Sequence, residues 1–292
     1  AVVVASATLG PMIPPSIPMV IYALVSGSSV GALFLGGVLP GVLMTLLMML
    51  TVHIIATRRG MPRDEPVPRG EWWGIVWRGA APLSLPVVLL GGIYSGAFTP
   101  TEAAAVAALH ALVLSAWVFK ALGLQAFWAV VIDSAKASAV ITIILAGSFM
   151  LQYAFTAEGV PQAMALWVEQ QQLQPVAFLL MVNLLFLILG CFLDVSVLLL
   201  VFVPMLLPAV DLLGIDKVHF GVLVVLNMMI GLIHPPFGML LFVTKALTGI
   251  PIMAMVREGW LFLVMLLVLL VAMTLFPPIV LWLPMQMGYV PG

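Results

Sequence analysis

Two stretches of the 292-residue chain carry the pattern Gly-x-x-x-Pro-Pro: Gly10-Pro11-Met12-Ile13-Pro14-Pro15 and Gly231-Leu232-Ile233-His234-Pro235-Pro236. Both lie inside apolar runs. Proline donates no backbone hydrogen bond and clashes with the preceding turn, so two in succession end a helix. The broken ends expose carbonyls and amides, and unwound backbone in apolar surroundings is tolerated only where it lines a cavity or is enclosed by protein. Carbonyls and helix C-terminal ends suit Na⁺, whereas helix N-terminal ends suit a carboxylate. The candidate residues at the breaks are therefore Gly10, Pro14, Pro15 and Ser16, with Gly231, His234, Pro235, Pro236 and Gly238 at the second. Ser16 offers its hydroxyl to a ligand or caps the half-helix that resumes after the break. Asp194 is the only acid between Gln170 and Val210. An acid in a membrane segment is costly and usually functional; the other reading is an acid facing water. Ser196 beside it lends a hydroxyl to the site or caps a helix.

Other reactive groups have structural readings. Cys191 is the sole cysteine, which excludes an intrachain disulfide and a cysteine metal cluster. Thr99-Pro100-Thr101-Glu102 reads as a helix start with a capping box. Asp133 and Lys136 share a helix face and neutralise each other. His53 and His219 fall near helix ends and are expected to meet water, and His110 to pack against another helix. Gly27-Ser28-Ser29-Val30-Gly31 fits Gly-x-Ser-x-Gly, but a nucleophile elbow needs a strand–turn–helix setting and this stretch lies between helices. An intramembrane protease built on Ser28 or Ser29 would also need a histidine at matching depth. Neither a Walker A nor a His-Glu-x-x-His motif is present in the sequence, so no ATP is expected.

The elements that must hold these residues are set by composition. Hydrophobic residues make up 64% of the chain and charged residues 7%, and mean hydropathy is +1.28. A soluble domain carries roughly 25% charged residues. Charge-free windows at 1–57, 79–101, 137–157, 170–193, 218–244 and 259–292 mostly reach the roughly 20 residues that a membrane helix needs. They lack the alternation of a barrel strand. The fold class is thus an all-α polytopic membrane protein. The net charge of −1 gives no reason to expect nucleic acid.

The predicted elements are a broken helix at 1–27, a span at 30–57, a polar loop at 58–71, and spans at 72–95, 101–119 and 126–154. A polar stretch follows at 156–174, outside the bilayer. Then come a re-entrant hairpin at 175–208 with Asp194 between its arms, a second broken helix at 215–247, and a last span at 259–284, in which Pro277-Pro278 is a plain kink. Arg58, Arg59, Arg63, Arg69 and Arg78 place the 58–71 loop in the cytoplasm. Counting crossings from there brings Lys120, Lys245 and Arg257 inside, provided 175–208 enters and leaves from one side. The C-terminus is then periplasmic.

The two breaks stand 221 residues apart, Gly10 to Gly231 and Pro14 to Pro235. The predicted topology runs the first from inside to outside and the second from outside to inside, which is an inverted repeat. Residues 72–292 then form one repeat and 1–71 the C-terminal part of another. Equal repeats predict roughly 440 residues in all, with roughly 150 ahead of Ala1, including a first hairpin.

Four stretches, Thr8–Ser16, Gly96–Val106, Phe192-Leu193-Asp194 and Gly231–Gly238, resemble the large membrane subunit of the tripartite ATP-independent periplasmic (TRAP) transporters. They are spread over nearly the whole chain and occur in the family's order. The resemblance implies an inverted-repeat, elevator-type importer of organic acids in the bacterial inner membrane. It implies Na⁺ as coupling ion, a small membrane subunit (DctQ-like), a periplasmic substrate-binding protein (DctP-like) and a carboxylate substrate such as a C4-dicarboxylate. It places Na⁺ at Gly10, Pro14, Asp194, Gly231, His234 and Gly238, and substrate at Pro15, Ser16, Ser196, Pro235 and Pro236. The family commonly has Thr where this chain has His234. A carrier working without a binding protein is the alternative.

Overall fold

The computed structural model describes residues 2–61 and 67–291. The described regular elements are all helical. They are α1 (Val2–Ser6), α2 (Ile17–Ser26), α3 (Val30–Arg59), α4 (Trp72–Tyr94), α5 (Pro100–Val113), α6 (Leu124–Ala157), α7 (Val160–Gln170), α8 (Pro175–Leu189), α9 (Val195–Val197), α10 (Val203–Leu212), α11 (Lys217–Gly231), α12 (Met239–Thr248), α13 (Ile252–Leu275) and α14 (Pro278–Gln286). A π-turn at Leu198–Phe202 joins α9 to α10. Another, at Leu114–Val118, extends α5. By length and composition, five helical stretches among the described residues can cross a membrane: Val30–Arg59, Pro100–Val118, Leu124–Ala157, Val195–Leu212 and Ile252–Leu275. Part of the 58–71 loop, residues 62–66, lies outside the described residues.

The chain divides into a unit of residues 60–143 and a unit of 1–59 with 144–292. In the smaller unit α4 packs on α5, and Ser84 Oγ lies 2.7 Å from His110 Nε2. The packing role expected for His110 is thus a polar contact between two apolar helices. Thr99 and Glu102 close the capping box at the start of α5. Lys136 Nζ lies 3.4 Å from Asp133 Oδ1, both well exposed.

The larger unit is organised around α11, whose residues are buried without a gap from Val218 to Gly231. A helix apolar all round belongs in the middle of a bundle, and α11 packs on α2, α3, α8, α13 and α14. Asp216 starts it by accepting the Val218 and His219 amides at 2.8 and 2.9 Å. Tyr289 Oη donates to the same carboxylate at 2.8 Å. Burial, and then Asp216, push the Tyr289 hydroxyl above its ordinary pKa, so it stays a donor. His219 does not meet water as expected: it is 2% exposed, with Nε2 2.9 Å from Met273 O. Proline accounts for this. The amide that would close the helical bond to Met273 O belongs to Pro277, which has no N–H, and the imidazole supplies the missing donor. The same prolines divide the last predicted span (259–284) into α13 and α14, more than a kink in one helix.

The stretch 156–174 is not a plain polar loop. It holds α7, which packs on α10 with Pro161 and Val168 buried and Glu169 exposed. Val160, Met164, Ala165 and Val168 recur at helical spacing, a stripe hidden when polarity is averaged over the segment. A second buried polar group joins α8, α11 and α13. Asn183 Nδ2 donates to Thr274 Oγ1 at 2.8 Å, and Asn227 Nδ2 to Asn183 O and Oδ1 at 2.9 and 3.1 Å.

Candidate functional site

Each break has a helix before it and a ten-residue helix after it. In the first, α1 ends at Ser6 and α2 starts at Ile17; in the second, α11 ends at Gly231 and α12 starts at Met239. The α2 and α12 helices end on left-handed glycines, Gly27 (φ 69°) and Gly249 (φ 71°), where a side chain would be strained. The Pro14–Pro15 and Pro235–Pro236 bonds are both cis. One turn bond recurs at the 221-residue offset: Met12 N–H to Leu9 O at 3.0 Å, and Ile233 N–H to Ile230 O at 3.1 Å. The second proline of each pair, Pro15 and Pro236, is exposed, whereas Pro14 is buried and Pro235 partly so.

The halves pair crosswise. α1 packs on α12, and α2 on α11, so the stretch before one break lies beside the stretch after the other. The first break also rests on α3, whose Gly37 and Gly41 make room for it. A Cβ at Gly37 would stand 2.6 Å from Met19 Cε and 3.0 Å from Met12 O, and one at Gly41 2.8 Å from Ile13 Cγ1. The two α3 glycines, bare of side chains, are therefore what seats the break.

Ser16 is 1% exposed. Its hydroxyl donates to Pro11 O and accepts the Met19 amide at 3.3 Å, which makes it the N-cap of α2. Of the two roles open to it, the cap is the one realised in this geometry. Thr8 Oγ1 likewise donates to Ala5 O at 2.6 Å.

The second break is held by the tip between α8 and α9. Three successive tip residues meet it at three-residue intervals. The backbone of Gly190 lies against Gly231, where a Cβ would come within 3.0 Å of Gly190 Cα and O. Cys191 Sγ lies 3.1 Å from His234 Nδ1, and the Phe192 and Phe237 ring centroids are 5.2 Å apart. Gly238 closes the break: a Cβ there would stand 2.6 Å from Leu232 O and 2.9 Å from His234 O. By contrast a Cβ at Gly10 would meet only Ala7 O, at 3.8 Å. Gly10 and its counterpart Gly231 match in sequence and differ in crowding.

Asp194 is exposed and caps α9, accepting the Ser196 amide at 2.8 Å. Its carboxylate is exposed at the tip, and Ser196 serves it through the main chain. The two arms of the predicted hairpin lean mostly on different neighbours: α8 on α11 and α13, and α10 on α7 and, with α9 and the π-turn, on α2. Among the described residues no three His, Cys, Asp or Glu side chains gather to hold a metal. Main-chain oxygens are nonetheless gathered at the second break, where Leu232 O and His234 O crowd Gly238. A carbonyl keeps a second lone pair after accepting one amide.

Sequence reasoning missed Cys191, which it considered only as a metal or disulfide residue, and the Asn183–Asn227–Thr274 group. The two asparagines carried a readable signal, since amides in apolar helices commonly bond to a neighbouring helix.

Described residues that are helical throughout their regular elements, with long apolar spans and two discontinuous helices, define a polytopic membrane protein. Residues 1–279 match the model of the tripartite ATP-independent periplasmic transporter, DctM component. The chain is 42% identical over 281 residues, or 96% of its length, to the C4-dicarboxylate TRAP transporter large permease protein DctM of Pseudomonas aeruginosa. It is 39% identical over 98% of its length to the sialic acid TRAP transporter large permease protein SiaM of Vibrio cholerae. It is 36% identical over 85% of its length to the isethionate TRAP transporter permease protein DctMQ of Oleidesulfovibrio alaskensis. It covers 66% and 67% of the first two relatives and 39% of the third. The chain belongs to the DctM family of TRAP transporter large permeases.

Proposed function

We propose that this chain supplies the second repeat, and part of the first, of a Na⁺-coupled permease that imports a small organic anion across the bacterial inner membrane. The observation that carries the reading is the crosswise pairing of two like breaks, α1 with α12 and α2 with α11. Two discontinuous helices running in opposite directions bring carbonyl-rich ends and amide-rich ends to one level, which suits a cation and a carboxylate together. Main-chain oxygens at Gly10, Pro14, Gly231, His234 and Gly238, with the Asp194 charge, hold Na⁺. Pro15, Ser196, Pro235 and Pro236 line the substrate side, and Ser16 acts there by ordering the start of α2.

Na⁺ binding favours the substrate-ready state, and the tip and broken helices then move as one body against the other spans. A periplasmic binding protein delivers the anion and a small membrane subunit completes the complex. The 58–71 loop is cytoplasmic and the C-terminus periplasmic. Relatives are named for C4-dicarboxylate, sialic acid and isethionate, which supports an acidic substrate and leaves the choice among them to the binding protein. The protease reading gains no support: Ser28 Oγ lies 2.9 Å from Ser26 Oγ, and Ser29 caps the start of α3 through the Ala32 amide.

The test is uptake of labelled succinate, sialic acid and isethionate by the complete transporter in proteoliposomes, each delivered by the binding protein. Uptake is expected only with an inward Na⁺ gradient. Equal uptake after the gradient is collapsed would defeat the reading.

A further inference from the structure

The three contacts between the α8–α9 tip and the second break differ in kind. Gly190 on Gly231 is backbone against backbone and sets only the distance. Phe192 on Phe237 pairs two rings at 44°, both at least half exposed. Only the middle contact is directional: Cys191 Sγ to His234 Nδ1 at 3.1 Å. Cys191 is itself fixed, being 6% exposed, with its sulfur 3.3 Å from Leu187 O and 3.7 Å from Pro235 O. His234 is partly exposed and immediately precedes Pro235.

We propose that Cys191 is a positioning residue: it holds the His234 ring by Nδ1 so that Nε2 is presented, at the break, to the anionic oxygen of the substrate. The geometry follows from the imidazole. Its two nitrogens lie on opposite sides of the ring, so a ring held at one offers the other away from the holder. A thiol is both a weak donor and a weak acceptor. When the single thiol proton goes to Nδ1, the nearer acceptor, and not to Leu187 O, Nε2 carries the ring proton, and a carboxylate or sulfonate oxygen is the ligand such a donor suits. An imidazole free to rotate would lose that freedom on binding, and holding it in advance removes the cost. The ring thus serves the anion, while the His234 carbonyl belongs to the main chain of the break.

This inference rests on the functional reading above, and the experiment separates the two. The complete transporter, with its binding protein, is assayed in proteoliposomes for Na⁺-driven uptake of whichever of succinate, sialic acid and isethionate the unmodified complex carries. Cys191→Ala is expected to raise KM about fivefold while Vmax stays within about twofold, the pattern of lost ligand binding. Cys191→Ser, which keeps a donor and acceptor on the same carbon, is expected to restore KM to within about twofold of the unmodified value. His234→Ala is expected to raise KM at least as much, and the double alanine variant no further than His234→Ala alone, since the thiol acts only through the ring. An unchanged KM in Cys191→Ala, or equal impairment in the Ala and Ser variants, would overturn the positioning role while His234→Ala still raises KM. If none of the three anions is carried under a Na⁺ gradient, the functional reading falls and the positioning role with it; if an anion is carried but His234→Ala transports normally, the positioning role alone falls.

Discussion

Gly10 and Gly238 show how differently two break glycines can be constrained. A Cβ at Gly238 would lie 2.6 Å from one carbonyl oxygen and 2.9 Å from another, within a closed turn that has little room to give. Overpacking of this kind costs about 1–3 kcal/mol. At Gly10 the added carbon meets a single oxygen at ordinary van der Waals distance. Gly238→Ala is therefore expected to lower the thermal midpoint of the detergent-solubilised complex and to abolish uptake, whereas Gly10→Ala leaves the midpoint within about a degree, as an unstrained substitution should. Asp194 separates in another way, because its carboxylate both caps α9 and carries charge. Asp194→Asn keeps an N-cap of about equal strength and removes the charge. A rise of about tenfold in the Na⁺ concentration for half-maximal uptake, as befits loss of an ion's charged partner, is expected in Asp194→Asn. No change in Asn with loss in Ala would reduce Asp194 to a cap.

The helix elements owe their placement to groups outside themselves. α13 ends where Pro277 leaves Met273 O without its helical donor, and His219 of α11 fills the gap at 2.9 Å. Removing a buried donor and leaving its acceptor unpaired costs about 1–3 kcal/mol. His219→Phe is expected to destabilise the complex by an amount in that range, read as a lowered midpoint of thermal unfolding, with KM unchanged in the protein that remains folded. Asn183 and Thr274 tie α8 to α13 in the same manner, so the arm that carries the tip is anchored by polar bonds as well as by packing. Around the first break the anchor is shape: α3 offers Gly37 and Gly41, and the chain of the break fits against them.

For the whole molecule, the functional reading makes Na⁺ and anion partners in one binding event. Linkage then requires each to raise the other's affinity by the same factor. Calorimetric titration of the complete transporter with substrate, with and without Na⁺, and with Na⁺, with and without substrate, should return equal ratios. Ratios of one would mean that Na⁺ and the anion bind independently, and would count against a coupled site. The ion pair between Arg59 at the end of α3 and Glu258 in α13, at 2.6 Å, is roughly half exposed on both sides and links the two helices at the surface of the larger unit.

Much of this protein is settled by composition and covalent chemistry alone. A chain with 64% hydrophobic and 7% charged residues has too little polar surface to face water, so its spans follow from their length. Pro14-Pro15 and Pro235-Pro236 interrupt their helices because proline lacks an N–H, wherever the chain is placed. The repeat offset, the capping box at Thr99 and the family resemblance are equally local and equally readable. What the sequence left open depended on which residues meet across space. Ser16 could have faced a ligand or capped α2, and only the fold turned its hydroxyl to Pro11 O and the Met19 amide. His219 read as a surface residue because its partner is 54 positions away. α7 was hidden because its burying surface is α10, far along the chain. Cys191 and His234, 43 residues apart, have no relation in sequence. They become a pair only when Gly190 and Gly231, both without side chains, let the two backbones touch.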